Sequence, residues 1–147
     1  MPLTNGFNHV ATMTADLDRF QAWYSRIFDT VTVFEMAARD DHPRMAIVDM
    51  GGGEALNVFE VPAESIIGER RTIGARGAID HFGISVPDLA ALEQVQTRLE
   101  EVGAEMGEIQ VLGGDTHSLF FRDVDGMELE VCAPVAAGGA GGAAVSS

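Results

Sequence analysis

Four polar residues stand at matching places in the two halves of this sequence, His9 and Asn57 in the first half and His81 and Glu130 in the second. Two imidazoles and one carboxylate are the ligand set of open divalent-metal sites, including the two-His-one-carboxylate facial triad that keeps positions free for substrate or oxygen. His117 and Glu128 are candidates for proton transfer beside such a centre. His117 would act as an acid–base group at the start of a strand, and Glu128 as a carboxylate one pleat, roughly 7 Å, from Glu130. The remaining polar and soft side chains read differently. His42 follows two Asp in a polar turn and belongs to the surface, while Glu60 ends a strand on the side of Val58 and is not taken as a ligand. Met36, Met45 and Met50 fall on strands as core or pocket lining. Gly51-Gly52-Gly53 precedes a strand rather than a helix, so it marks a hairpin turn and not a phosphate cradle.

Several other chemistries are excluded by composition. Nine cationic residues against 23 acidic ones give a net charge of −14, which repels phosphate backbones and anionic lipid surfaces and argues against nucleic-acid binding. All nine cations are Arg, so a Walker-A lysine, a Schiff-base lysine and a Ser-Lys pair are impossible. Cys132 is the single cysteine and allows no internal disulfide. No apolar run reaches the length of a membrane span, and Met1-Pro2-Leu3-Thr4 lacks the basic start of a signal peptide, so a cytoplasmic protein is expected. At 147 residues the chain can bury roughly two-thirds of its unfolded surface, enough for one domain that folds without a metal or disulfide.

The elements that must position the four residues come from an internal repeat. Asn8-His9-Val10 followed by Asp16-Leu17 is answered, 72 residues later, by Asp80-His81-Phe82 followed by Asp88-Leu89. Gly53 to Val58 matches Gly126 to Val131 at an offset of 73. Hydrophobic periods then predict a strand, a helix and three strands in each copy. In the first copy these are Phe7 to Ala11, a helix capped by Asp16 with Leu17, Phe20, Trp23, Tyr24, Ile27 and Phe28 on its stripe, then Val31 to Ala37, Arg44 to Met50 and Ala55 to Val61. In the second they are Ile79 to Val86, a helix capped by Asp88 and ended by Gly103, then Glu105 to Val111, His117 to Arg122 and Met127 to Cys132, with Asp125-Gly126 as a turn. The expected organisation is α+β: one domain over 1–134 made of two paired βαβββ modules, about 5–61 and 78–134. A linker over 62–77 carries Arg70, Arg71, Gly74 and Gly77, and a disordered Gly/Ala/Ser tail runs over 135–147.

Strand alternation assigns the faces. Met127, Leu129 and Val131 take the helix side of the last strand, so Glu128, Glu130 and Cys132 take the other. Phe82, Ile84 and Val86 leave His81 on that second face, and Val10, Leu56 and Val58 do the same for His9 and Asn57. Pseudo-twofold pairing of the modules would gather the four residues around one point.

With these residues in place the sequence resembles the vicinal oxygen chelate superfamily of glyoxalases, bleomycin-resistance proteins and extradiol dioxygenases, over nearly all of residues 5–134. The matching motifs are Asn8-His9-Val10 with Ala15-Asp16-Leu17 and Trp23-Tyr24, then Asp80 to Val86 with Asp88-Leu89, and most specifically Phe120-Phe121-Arg122-Asp123-Val124-Asp125-Gly126-Met127-Glu128-Leu129-Glu130. The resemblance implies a curved, half-open barrel holding a divalent ion (Fe, Mn, Ni or Zn) on His9, His81 and Glu130. It also implies a small oxygenated substrate chelated through neighbouring oxygens in a lyase, isomerase or dioxygenase reaction, with Glu130, Glu128 and His117 nearest the chemistry. A homodimer is implied too, because the family's modules often pair between chains. The bleomycin-resistance branch implies the alternative of a drug- or metabolite-binding protein without chemistry. Two positions depart from the family pattern. Asn57 stands where glyoxalases have Glu or Gln, and Phe120 and Phe121 stand where the dioxygenases have a Tyr.

Overall fold

The computed structural model describes residues 1–4, 6–66 and 78–137. The chain divides into two compact units: Met1–Asp80 with Asp123–Met127, and His81–Arg122 with the segment from Glu128. Each has the α+β order expected from the repeat. The first runs β1 (His9–Thr14), α1 (Leu17–Phe28), β2 (Val31–Met36), β3 (Met45–Gly51) and β4 (Glu54–Glu60). The second runs β5 (Phe82–Ser85), α2 (Leu89–Glu101), β6 (Gln110–Leu112), β7 (Thr116–Arg122) and β8 (Glu128–Pro134).

Both sheets are open, four-stranded and mixed. Their orders are β1-β4-β3-β2 and β5-β8-β7-β6, with the first strand of each copy parallel to its last and the other pairs antiparallel. This parallel pairing sets His9 opposite Ala55 and Gly83 opposite Glu130, so residues next to the first strand's start meet the strand that carries the repeat's second polar position.

Sequence chemistry explains the helices. Asp16 caps α1 by accepting from the Arg19 N–H at 2.9 Å, and Asp88 caps α2 by accepting from the Ala91 N–H at 2.9 Å. A second acceptor for the start of α1 comes from far along the chain, because Glu60 Oε2 takes the Leu17 N–H at 2.8 Å. That engagement gives Glu60 a structural role. It also sits 3.6 Å from Arg44, which binds Asp18 and Glu35 as well. At the end of α2, Gly103 takes φ +67°, and the Gly103 and Ala104 N–H groups donate to Glu100 and Leu99 O. This Schellman closure needs a left-handed residue, which glycine supplies without strain.

The buried faces are those the periodicity marks. Leu17, Phe20, Tyr24 and Ile27 of α1 are buried with Ala46, Val48, Leu56 and Val58 of β3 and β4, while Trp23 and Phe28 remain half-buried. In the second unit Leu92, Val95 and Leu99 are buried with Leu119, Phe121, Leu129, Val131 and Ala133. Full burial of each such large side chain stabilises by about 1.5–3 kcal/mol. These cores hold each sheet's second face in place without contributing to it.

The ends of some elements differ from expectation. The first strand begins at His9 rather than Phe7, and β5 begins at Phe82 rather than Ile79, because parallel pairing to β8 starts at Phe82 opposite Leu129. The expected strand from Glu105 shrinks to Gln110–Leu112. Met106 forms only an isolated bridge to Phe121, flanked by the Gly107 N–H donating to Phe120 O at 2.9 Å and the Arg122 N–H donating to Glu105 O at 2.8 Å. Of the expected linker, residues 62–66 include a 3-10 turn at Ala63–Ser65, and 67–77 lie outside the described residues. Of the expected tail, Val135 still donates to Asp115 O at 2.8 Å, and 138–147 lie outside the described residues. No helix is long and apolar enough to cross a membrane among the described residues.

Candidate metal centre

The polar face of the second sheet is built by strand parity. On β8 the buried set is Leu129, Val131 and Ala133, so Glu128, Glu130 and Cys132 occupy the opposite face. On β7 the same reasoning separates His117, Leu119 and Phe121 from Ser118, Phe120 and Arg122. Register places Phe120 opposite Glu130 and Ser118 opposite Cys132. His81 immediately precedes β5, whose Gly83 and Ser85 face Glu130 and Cys132 across the parallel pair.

On this face His81 and Glu130 converge. His81 Nε2 lies 3.2 Å from Glu130 Oε2, with the imidazole about one-third exposed and the carboxylate more deeply set. The His81 ring stands edge-on to Phe120, with centroids 5.2 Å apart and planes at 74°. Ser118, fully buried, donates from Oγ to the other carboxylate oxygen, Glu130 Oε1, at 2.5 Å. Burial and then the Glu130 charge push the Cys132 thiol up to about 11, so it stays a protonated neighbour rather than a thiolate near neutral pH.

The pair is a hydrogen-bonded imidazole and carboxylate, both of them donor types that divalent cations take. Two ligands at right angles on bonds of about 2.1 Å stand roughly 3 Å apart, close to the spacing found between the imidazole nitrogen and the carboxylate oxygen. Imidazole and carboxylate donors are used by Mn, Fe, Ni and Zn alike, and the pair does not choose among them. Among the described residues no group of three or more His, Cys, Asp or Glu gathers into a metal-binding cluster.

The other sequence candidates are distributed as follows. His9 and Asn57 lie in the first unit. His9 is exposed at the start of β1 with its Nδ1 2.8 Å from Asn8 Oδ1, and Asn57 is half-buried on β4 opposite Ala11 and Ile47. Glu128 shares the Glu130 face and pairs with Arg122 at 3.4 Å, and Arg122 also reaches Glu105 at 3.5 Å. His117 takes the helix-side face with Leu119 and Phe121, opposite the buried Ala133, and therefore points away from the Glu130 carboxylate. His42 closes the β2–β3 turn, its Nδ1 2.6 Å from Pro43 O and its ring against Phe59. Sequence reasoning missed Ser118, although its even-numbered parity with Phe120 and Arg122 was the available signal.

Comparison with known proteins places the fold. A search of curated proteins gives no significant match. Among solved structures, the glyoxylase/bleomycin resistance protein/dioxygenase domain from Frankia sp. EAN1pec is 26% identical with a TM-score of 0.76, over 90% of this chain and 99% of that one. Lactoylglutathione lyase from Agrobacterium tumefaciens is 22% identical with a TM-score of 0.64, over 90% and 96%. The fosfomycin resistance protein FosX from Listeria monocytogenes, complexed with Mn(II) and sulfate, is 16% identical with a TM-score of 0.65, over 90% and 93%. The latter two likenesses are of fold. The sequence model of the Glyoxalase/Bleomycin resistance protein/Dioxygenase superfamily covers residues 6–131, and the chain belongs to that superfamily.

Proposed function

We propose that this protein is a divalent-metal-dependent enzyme acting on a small oxygenated molecule, with His81, Glu130 and His9 as the metal-holding residues. The observation that carries the reading is the 3.2 Å approach of His81 Nε2 to Glu130 Oε2 on the polar face of the second sheet. His9 is included as the repeat counterpart of His81, 72 residues earlier on the equivalent strand. Metal use occurs in the superfamily, as the Mn(II) complex of FosX shows for that protein. A bound divalent ion supplies Lewis acidity toward two neighbouring substrate oxygens.

The chain's own residues then have separable tasks. Glu130 has one oxygen on Ser118 and the other at His81, so it is committed to holding rather than to proton transfer. Glu128 is the second carboxylate on this face and is assigned to take the substrate proton, with Arg122 at 3.4 Å offsetting its charge. His117 faces the other way and is not assigned a part. Arg122 is shared between Glu128 and Glu105, and with a net charge of −14 the chain favours a substrate without strong negative charge. The competing reading is a binding protein that holds a drug or metabolite without chemistry. Elemental analysis of full-length protein purified without chelator separates the two. A stoichiometric divalent ion is expected, and a protein that neither carries nor takes up one would favour the binder.

The protein is further proposed to be a cytoplasmic homodimer. The edge strand β2 exposes Val31 at 62%, Val33 at 60% and Phe34 at 47%, an apolar edge that isolated sheets do not leave in water. Light scattering at micromolar concentration is expected to give twice the chain mass, and the single-chain mass would refute the dimer.

A further inference from the structure

Ser118 is small, polar and wholly buried in β7, a position where serine contributes little to strand formation or apolar packing. Its hydroxyl is spent on one contact, the 2.5 Å bond to Glu130 Oε1. Glu130 faces Phe120 across the ladder, so Ser118 reaches the carboxylate diagonally from the next position on the same face. The serine hydroxyl is the donor and Oε1 the acceptor. The remaining oxygen, Oε2, is the one aimed at His81 Nε2.

We propose that Ser118 is a positioning residue that ties one oxygen of Glu130, so that the carboxylate offers only Oε2 to an ion shared with His81. This rests on the metal reading given above and adds a role for a residue outside the ligand set. Holding Oε1 prevents the carboxylate from gripping an ion with both oxygens, which keeps one more coordination position for substrate. It also fixes the side-chain rotamer, so less freedom is lost when an ion arrives.

The test uses the full chain and Mn(II) alone, with free Mn(II) counted from its electron paramagnetic resonance signal during titration. Ser118→Ala is expected to weaken Mn(II) binding by about 10- to 100-fold, the range for contacts that orient a ligand. Ser118→Thr, which keeps the hydroxyl, is expected to recover most of that loss. Thermal unfolding in the presence of EDTA is expected to show Ser118→Ala folded, so that lost affinity is not lost structure. Wild-type affinity in Ser118→Ala, alongside clear loss in Glu130→Ala, would overturn the positioning role and leave the metal reading standing. Equal loss in Ser118→Ala and Ser118→Thr would also overturn it, because the hydroxyl would then not be what matters. If wild type and Glu130→Ala bind Mn(II) alike, or neither binds, the metal reading fails and the role of Ser118 fails with it.

Discussion

Asp123→Ala is expected to lower the unfolding free energy by about 3 kcal/mol, one of the largest losses available from a single polar side chain in this protein. Asp123 is buried at the turn that follows β7, and this turn, Asp123–Met127, clusters with the first unit rather than with the strands it joins. Its Oδ2 accepts from the Tyr24 hydroxyl at 2.8 Å, and its Oδ1 accepts from the Asp125 and Met127 N–H groups at 2.9 Å each. Removing the carboxylate leaves a buried phenol and two turn amides to find new partners. Gly126, at φ +79°, permits the backbone path that brings those amides round. Burial raises the Asp123 carboxyl above its ordinary value, and the Tyr24, Met127 and Asp125 hydrogen bonds only partly offset this. With a folded value above the unfolded one, the native state holds the proton more tightly. The stability this gives is present below the ordinary carboxylate value near 3.8 and is lost as pH rises through the folded value. Asp123→Asn keeps an acceptor for the two amides and an amide donor toward Tyr24, and it should abolish this part of the pH dependence. Urea unfolding of wild type and both variants across pH 4 to 8 checks both points, and a loss below about 1 kcal/mol in Asp123→Ala would contradict the first.

The long reach of Asp123 also marks the boundary of what sequence reading gives. Periodicity located both helices, their acidic caps and the polar faces of the first and last strands of each copy, because these depend on neighbours three, four or two residues away. Tyr24 was legible as part of a buried stripe, but its partner lies 99 residues on, and no local pattern announces it. Parity with Val58 puts Glu60 on the helix side, yet its bond to Leu17 crosses 43 residues and depends on the parallel β1–β4 pairing. Ser118 and His117 show a different limit. Alternation along β7 separates them onto opposite faces, but a strand with Phe at both 120 and 121 hides its parity, since apolar side chains occupy both faces. The register with β8 resolves this by setting Phe120 against Glu130 and Phe121 against Leu129.

His81→Ala and Glu130→Ala are each expected to weaken divalent-metal binding by more than about 100-fold, beyond the range that orienting contacts carry. Each removes one of the two donors that stand 3.2 Å apart and leaves the other without its neighbour on that face. His9→Ala is expected to lose most of the metal as well, by its place in the repeat. His42→Ala is not, because that imidazole is engaged at the β2–β3 turn with Pro43 O and Phe59. These losses are expected without loss of fold, since none of the four side chains belongs to either buried core. The most direct measurement is the Mn(II) affinity of the full chain, obtained by competition with a chelator for wild type, His81→Ala and Glu130→Ala in parallel. The account predicts tight binding in wild type and near-complete loss in both variants, whereas affinity unchanged by either substitution would contradict a metal centre on His81 and Glu130.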